Sequence, residues 1–289
     1  MQSPLGNVAR TVHTITRDQV TPDYDLVLLT CKTYDLDQGI AAMAPAVGEH
    51  TGILPLLNGT ATYDILDQHF GTGRVLGGVA IAAMLAPSGH ILHLSPGDTL
   101  LIGQRAEATT ALAASLYEVV SHTPGTRMLS EDIAQDLWEK WVMIAAGAAM
   151  TCVMRGPIGA ILHTQDGRAL ITQAMDECAA VARLSGHALR PAAVHTMHGT
   201  LLDPASPWAA SMMRDIDQQA PRLEADHIVG DIIRRAQRFG MDVPLMRAAY
   251  AHLQVYEARQ HQAQGPVRPL QEAAGTARPP AVDHASASA

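Results

Sequence analysis

The chain has 289 residues, 47% of them apolar and 17% charged, with a formal net charge of −8 and a pI near 5.9. This length allows two domains with separate cores, and the acidic balance argues against a nucleic-acid-binding surface, which needs clustered Lys and Arg. No long uncharged apolar run predicts a membrane span, and the start MQSPLGNVAR lacks the features of a secretory signal.

The first part of the chain alternates short apolar runs with helical spacing. The apolar run at 26–29 is typical of a strand buried on both faces, and the helical segments close on glycines. The pattern predicts, in order, a strand at 26–29, a helix at 36–48, a strand at 51–59, a helix at 62–71 and three short strands within 74–103. Such alternation indicates βαβ units and a parallel sheet.

After the turn Thr123-Pro124-Gly125 the pattern changes to consecutive helices, the first with Ser130 as its predicted N-cap. They are predicted at 131–154, 167–186, 206–217, 224–240 and 244–260. We therefore expect an incomplete α/β domain at 1–128 followed by an all-α domain at 129–261. The Ala-, Pro-, Gly- and Ser-rich stretch 262–289 predicts a disordered tail.

Three widely separated cysteines, Cys31, Cys152 and Cys178, fit buried reduced thiols and a cytoplasmic protein better than a disulfide framework. Among the histidines, His195 and His198 fall in the loop-like segment LRPAAVHTMHG, and their spacing matches no zinc site. The sequence therefore predicts no bound metal. Asp226-His227 favours a solvated helix pair over a catalytic one.

Five motifs occur in one order along the chain: C-K-T-Y-D, L-P-L-L-N-G, L-W-E-K-W, S-M-M-R-D and E-A-D-H-I-V-G-D. With them the chain resembles the ketopantoate reductase (2-dehydropantoate 2-reductase) family, from its first residues to about Gln260. The resemblance implies a Rossmann-like domain that binds NADPH, a helical domain, and a small-molecule 2-keto acid bound between them. The implied reaction is reduction of ketopantoate to pantoate in pantothenate biosynthesis, or of a related keto acid. It implies no nucleic-acid or membrane partner and is compatible with a homodimer.

The resemblance implies that Lys140 is the general acid and that Glu224 supports it and helps to bind the substrate hydroxyl. Reduction of a ketone builds negative charge on its oxygen, which a positioned ammonium can stabilise and protonate. A lysine in an apolar helix is more often a snorkelling surface residue, but Trp138 and Trp141 flank this one. Glu224 has the alternative of an ordinary acidic residue in the first turn of a helix.

Three further residues match family positions. Asn58 follows a buried strand and is implied to contact the nicotinamide and the substrate, although Asn-Gly is also a good turn. Ser211 is implied to bind substrate, with a helix-interior serine bonded to its own backbone as the alternative. Lys32 ends the preceding strand and is implied to lie near the cofactor.

The sequence departs from the family in two ways. It contains no G-x-G-x-x-G turn: the nearest stretch, GTGRVLGG at 71–78, precedes a predicted strand rather than a helix. We expect a shortened gene model or fragment, with an unpaired sheet edge beside 27–29. In addition, Ile144 and Ala148 stand where the family has asparagines, which favours a more apolar substrate.

An alternative function remains open at this level. A chain that is short at its start by nature would be a non-catalytic relative, with the helical domain acting as an oligomerisation or binding module. The motifs alone do not separate this hypothesis from the enzyme.

Overall fold

The structure, a computed structural model, describes residues 1–85 and 90–264. Its N-terminal part contains β1 (Leu26–Leu29), α1 (Leu36–Met43), β2 (Gly52–Pro55), α2 (Ala61–Phe70), β3 (Gly77–Leu85), β4 (Leu92–Gly103), α3 (Thr110–Ser121) and β5 (Thr126–Leu129). The first four elements follow the sequence pattern closely, since their apolar runs and glycine stops are local signals. Neither α3 nor β5 was predicted.

The strands form two small sheets. β1 and β2 are parallel, β3 and β4 are antiparallel, and β5 runs parallel to β4. A single bridge between Ile53 and Val75 links the sheets. Within the described residues β1 has a strand partner on one side only, and the side chain of Leu28 is exposed.

The prediction of three short strands within 74–103 is wrong for the described residues, because two longer strands form a hairpin there. Ser-Pro-Gly at 95–97 does not end a strand. It lies inside β4, where the register shifts between Ala82 and Met84 of β3 and four residues of β4 bulge out of the pairing. A bulge tolerates proline because no ladder N–H is needed there. The other turn, at 87–89, lies outside the described residues.

The helical part contains α4 (Ile133–Met154), α5 (Ile158–Leu162), α6 (Gly167–Leu184), α7 (Pro191–Leu201), α8 (Ser211–Asp217), a π-helical turn (Asp226–Gly230), α9 (Asp231–Arg238) and α10 (Pro244–Gln264). The long helix α4 is central and packs against both α6 and α10. In length and composition α4 could cross a membrane, but 67% of its apolar stretch is buried inside the fold.

The start of α4 lies directly on the hairpin. A Cβ added to Gly77 or Gly103 would lie 2.5 Å from Ile133, so only glycine permits this approach. The N-cap is Asp132, whose carboxylate accepts a hydrogen bond from the Gln135 amide (3.1 Å), and the prediction of Ser130 is therefore wrong. Ser130 instead donates its hydroxyl to Asp136.

Three predictions about the helical part also change. The segment expected to be a loop around His195 is helix α7, which begins with Pro191 at its first position. α8 begins at Ser211 instead of 206, because the carbonyls of Ser206 and Trp208 accept hydrogen bonds from α5 residues. The predicted tail starts at 262, but α10 continues to Gln264, and 265–289 lies outside the described residues.

Candidate active site

A cleft of about 680 Å³ lies between the two parts of the molecule. Its walls come from the loop that follows β2, from β3, from one face of α4 and from the segment that leads into α8. The lining includes Asn58, Ala80, Lys140, Ile144, Trp208 and Ser211.

One face of α4 supplies the central wall of this cleft. Lys140, Ile144 and Ala148 are spaced four residues apart, which places them in line on one side of a helix, and all three line the cleft. Ile144 and Ala148, at positions where the resemblance implies asparagines, therefore face the same space as the lysine.

Lys140 does not snorkel to the surface. Its side chain is half-buried, and Nζ donates a hydrogen bond to the carbonyl oxygen of Ala80 (2.9 Å). Burial of the ammonium lowers the pKa of Lys140 to about 8, while the negative charge of Glu224 opposes this shift. A lysine with this pKa changes its protonation state close to neutral pH.

Glu224 lies beside the cleft and is 5% exposed. Its Oε1 accepts a hydrogen bond from the Thr33 amide (3.2 Å), and its Oε2 lies 3.3 Å from Lys32 Nζ. Lys32 Nζ also lies 3.1 Å from Asp215 Oδ2. We call Lys32, Thr33, Asp215 and Glu224 the interdomain clamp, since they join the end of β1 to the helical domain.

The clamp keeps its lysine charged. Burial alone would lower the pKa of Lys32, but the carboxylates of Glu224 and Asp215 outweigh it, so that the pKa is raised. The structure places Lys32, which the resemblance implied to lie near the cofactor, against these two carboxylates of the helical domain.

Asn58 and Ser211 both line the cleft. Among the described residues, neither side chain has a hydrogen-bond partner, so an amide and a hydroxyl are free to meet a ligand. Ser211 is the first residue of α8, which removes the alternative of a helix-interior serine bonded to its own backbone. After Asn58 the chain turns at Gly59, which has a φ of +86°.

Comparison with known proteins agrees with this architecture. Residues 132–257 match the family model of the ketopantoate reductase PanE/ApbA C-terminal domain, and residues 2–107 match that of ketopantoate reductase PanE/ApbA. The chain belongs to the ketopantoate reductase family. Its Rossmann-like α/β part followed by a helical part is the fold of that family, and the protein is an oxidoreductase.

One relative of this ketopantoate reductase family member is the uncharacterized oxidoreductase YkpB of Bacillus subtilis. The two are 31% identical over 259 residues, which is 89% of this chain and 85% of the relative. Two solved structures share the fold. One is D-mandelate dehydrogenase with NADH and anilino(oxo)acetate (TM-score 0.76, 18% identity, 86% of this chain and 80% of that one). The other is the dimeric ketopantoate reductase of Staphylococcus aureus (TM-score 0.74, 23% identity, 90% and 86%).

The family reaction uses a nicotinamide cofactor, and the residues of the cleft fit the nicotinamide end of that cofactor. Asn58 lies at the carboxyl end of a parallel strand, where α/β sheets bind ligands, and its unpaired amide shares the cleft with Lys140. The sequence contains no G-x-G-x-x-G turn for the diphosphate. The nearest stretch, 71–78, runs from the end of α2 into β3, so no helix N-terminus follows it.

Reasoning from the sequence missed four residues of this family member's site: Ala80, Trp208, Arg214 and Asp215. One signal could have drawn attention to the two lysines, because Lys32 and Lys140 are the only lysines in the chain. Arginine cannot lose its proton in a protein, whereas the pKa of lysine shifts readily on burial.

The remaining His, Cys, Asp and Glu residues that the structure describes do not form a second centre. Among residues 1–85 and 90–264, no cluster of His, Cys, Asp and Glu could hold a metal ion. Asp226 bonds Arg234 and Tyr250 rather than its neighbour His227. Cys152 and Cys178 are buried thiols, whereas Cys31 is half-buried, which corrects the expectation of three buried ones.

Proposed function

We propose that this chain reduces a 2-keto acid to the 2-hydroxy acid with NADPH, with 2-dehydropantoate or a related keto acid as substrate. The observation that carries the proposal is Lys140. It is the cleft lysine with a pKa lowered to about 8, and it lines the same cleft as Asn58 and Ser211, whose side chains have no hydrogen-bond partner among the described residues. A general acid is most efficient when its pKa lies near the operating pH.

When bound, NADPH supplies the hydride. Lys140 holds the proton at Nζ, donates a hydrogen bond to the ketone oxygen in place of the Ala80 carbonyl, and then transfers the proton to that oxygen. Asn58 and Ser211 donate hydrogen bonds that orient the substrate. Ala80, from β3, holds the ammonium in position before substrate binds.

The resemblance implied two roles for Glu224, support of Lys140 and a contact to the substrate hydroxyl, and this proposal keeps the first. Both of its oxygens accept hydrogen bonds from residues of the interdomain clamp. Its charge favours the protonated form of Lys140 against burial, so Glu224 acts as a positioning residue that keeps the proton available.

The cofactor choice needs its own comparison, because the similar D-mandelate dehydrogenase structure contains NADH. The residues that read the ribose 2′ position follow the glycine turn in Rossmann domains, and the sequence contains no such turn. We propose NADPH and expect it to bind more tightly than NADH. We also propose that the protein is cytoplasmic. We propose that it forms a homodimer, and light scattering would measure its molar mass in solution.

The experiment is a titration of the purified 289-residue chain with NADPH and with NADH, followed by nicotinamide absorbance with and without 2-dehydropantoate. Saturable binding with oxidation of NADPH that depends on the keto acid is expected. A chain that folds, by circular dichroism, but binds neither cofactor would contradict the proposal and favour the non-catalytic binding module.

A further inference from the structure

Arg214 on α8 lines the cleft and is half-buried. The other half-buried arginines of the described residues, Arg74, Arg105, Arg127 and Arg235, each donate hydrogen bonds to carboxylates or carbonyls. Arg214 donates none within residues 1–85 and 90–264. A partly desolvated guanidinium without an acceptor is a charge that a ligand can neutralise.

The acidic residues around α8 have other partners. Asp215 pairs with Lys32 (3.1 Å), and Asp217 lies 3.7 Å from Arg155. Asp203, which also lines the cleft, accepts a hydrogen bond from the Ala205 amide. In the described part of the chain no carboxylate lies within salt-bridge distance of Arg214, although all three of these acids lie near it in sequence.

The position of Arg214 relates it to the reacting group. Arg214 follows Ser211 by three residues on α8, which places the two on one face of the helix, and both line the cleft that contains Lys140. A 2-keto acid carries its carboxylate on the carbon next to the ketone. An enzyme that places the ketone at Lys140 therefore needs an anion site within the same cleft.

We infer that Arg214 binds the carboxylate of the substrate, through paired N–H donors that match its two oxygens. Ile144 and Ala148 then offer no hydrogen bond to the remaining part of the molecule, and Trp208 adds an aromatic surface. The substrate class is accordingly a 2-keto acid with a branched aliphatic or aromatic side chain. This inference rests on the proposed function and deepens it.

The test compares the wild type with Arg214→Gln, using phenylpyruvate and 4-methyl-2-oxopentanoate as probes. Loss of a charge-assisted contact is expected to raise KM about 10- to 100-fold, with a smaller change in kcat and an unchanged Kd for NADPH. Arg214→Lys should recover part of the loss, which a purely structural defect would not allow. Arg238→Gln is the matched control, because Arg238 is exposed and lies outside the cleft lining.

Calorimetric binding of phenylpyruvate, measured in the presence of NADP⁺ so that no turnover contributes heat, separates this inference from the proposed function. If the wild type binds phenylpyruvate but does not oxidise NADPH, and Arg214→Gln does not bind it, the carboxylate site is supported and the proposed reductase function is contradicted. If the wild type and Arg214→Gln turn over the keto acid with the same KM, the reductase function is supported and the assignment of the carboxylate site to Arg214 is wrong. No binding by the wild type rejects both, and weaker NADPH binding in the variant would reassign Arg214 to a cofactor phosphate.

The apolar part of the inference has its own variant. Ile144→Asn places an amide on the cleft wall and should lower kcat/KM for phenylpyruvate relative to 2-dehydropantoate. An unchanged ratio in a folded variant would overturn the assignment of an apolar substrate side chain to this wall.

Discussion

The interdomain clamp and the cleft each contain one of the two lysines of the chain, and they treat it in opposite ways. In both places the ammonium loses water, which by itself lowers the pKa. Lys32 touches two carboxylates, so its pKa is raised instead. Lys140 touches only a carbonyl oxygen, and its pKa falls to about 8.

The difference shows that the contacting acceptor, and not burial alone, decides the chemistry of each lysine. Glu224 acts on both: it bonds Lys32 directly and reaches Lys140 only through its charge. In the clamp, Lys32 therefore stays charged and holds the two domains together. In the cleft, Lys140 can release its proton.

The largest effect is expected at Lys140. Lys140→Ala removes the proposed general acid and should lower kcat by about a hundredfold to ten-thousandfold, because proton transfer by a positioned group contributes that much. Steady-state NADPH oxidation measures it. Arg247→Ala, which removes an exposed cation paired only with Asp242, is the control and should retain turnover. Retained turnover in Lys140→Ala would remove this residue from the role.

The next largest effect is expected at Gly59, which follows Asn58 in the chain and packs closely against the helical domain. A Cβ at Gly59 would lie 2.8 Å from the His227 carbonyl oxygen, and its φ of +86° is already unfavourable for alanine. Gly59→Ala should lower the free energy of unfolding by about 2–4 kcal/mol, measured by urea denaturation.

Gly240 provides the matched control for that substitution. It also has a positive φ (+63°), but nothing lies within 4 Å of an added Cβ. Gly240→Ala should therefore show only the backbone effect of about 1 kcal/mol. Equal losses in the two variants would mean that the close approach to His227 contributes nothing.

A smaller effect is expected from the clamp. Lys32→Ala leaves the buried carboxylate of Glu224 without its cation, which for a fully buried pair would cost several kcal/mol. Because Lys32 is 41% exposed, water screens the loss, and we expect about 1–2 kcal/mol in urea denaturation. The exposed pair removed by Arg247→Ala should change stability by less than about 0.5 kcal/mol. If the two variants match, the clamp is only a surface contact.

The pH dependence is the finest test. Since the pKa of Lys140 is lowered to about 8, its protonated fraction falls as pH rises through that value. Keto acid reduction should then slow about tenfold per pH unit above the pKa, and oxidation of the hydroxy acid should speed up through the same range, where the neutral amine can accept the proton. Rates measured in both directions across this range check the sign.

The same comparison can be observed directly by NMR. Reductive ¹³C-methylation of the protein labels only Lys32, Lys140 and the N-terminal amine, since the sequence contains no other lysine. One lysine resonance should titrate near pH 8 and the other above the ordinary lysine range. Two lysines that titrate together would contradict the contrast between clamp and cleft.

Many of the helices and strands could be predicted from the sequence. Apolar runs and glycine stops predicted the first strands and helices, because these signals act over a few residues. The same holds for the site wall on α4: a spacing of four residues places Lys140, Ile144 and Ala148 on one face wherever the helix lies. Local signals failed at the hairpin of β3 and β4, where pairing with distant residues absorbed a Ser-Pro-Gly turn into a bulge.

Only the tertiary structure decided which groups meet. Lys32 and Glu224 are 192 residues apart in sequence, and no periodicity relates them. The same is true of the contact from Lys140 to the Ala80 carbonyl and of the absence, within the described residues, of an acid beside Arg214. The sequence by itself determined which side chains could carry a proton or a charge. The fold determined their pKa values and partners, because desolvation and Coulomb forces depend on distances in space rather than along the chain.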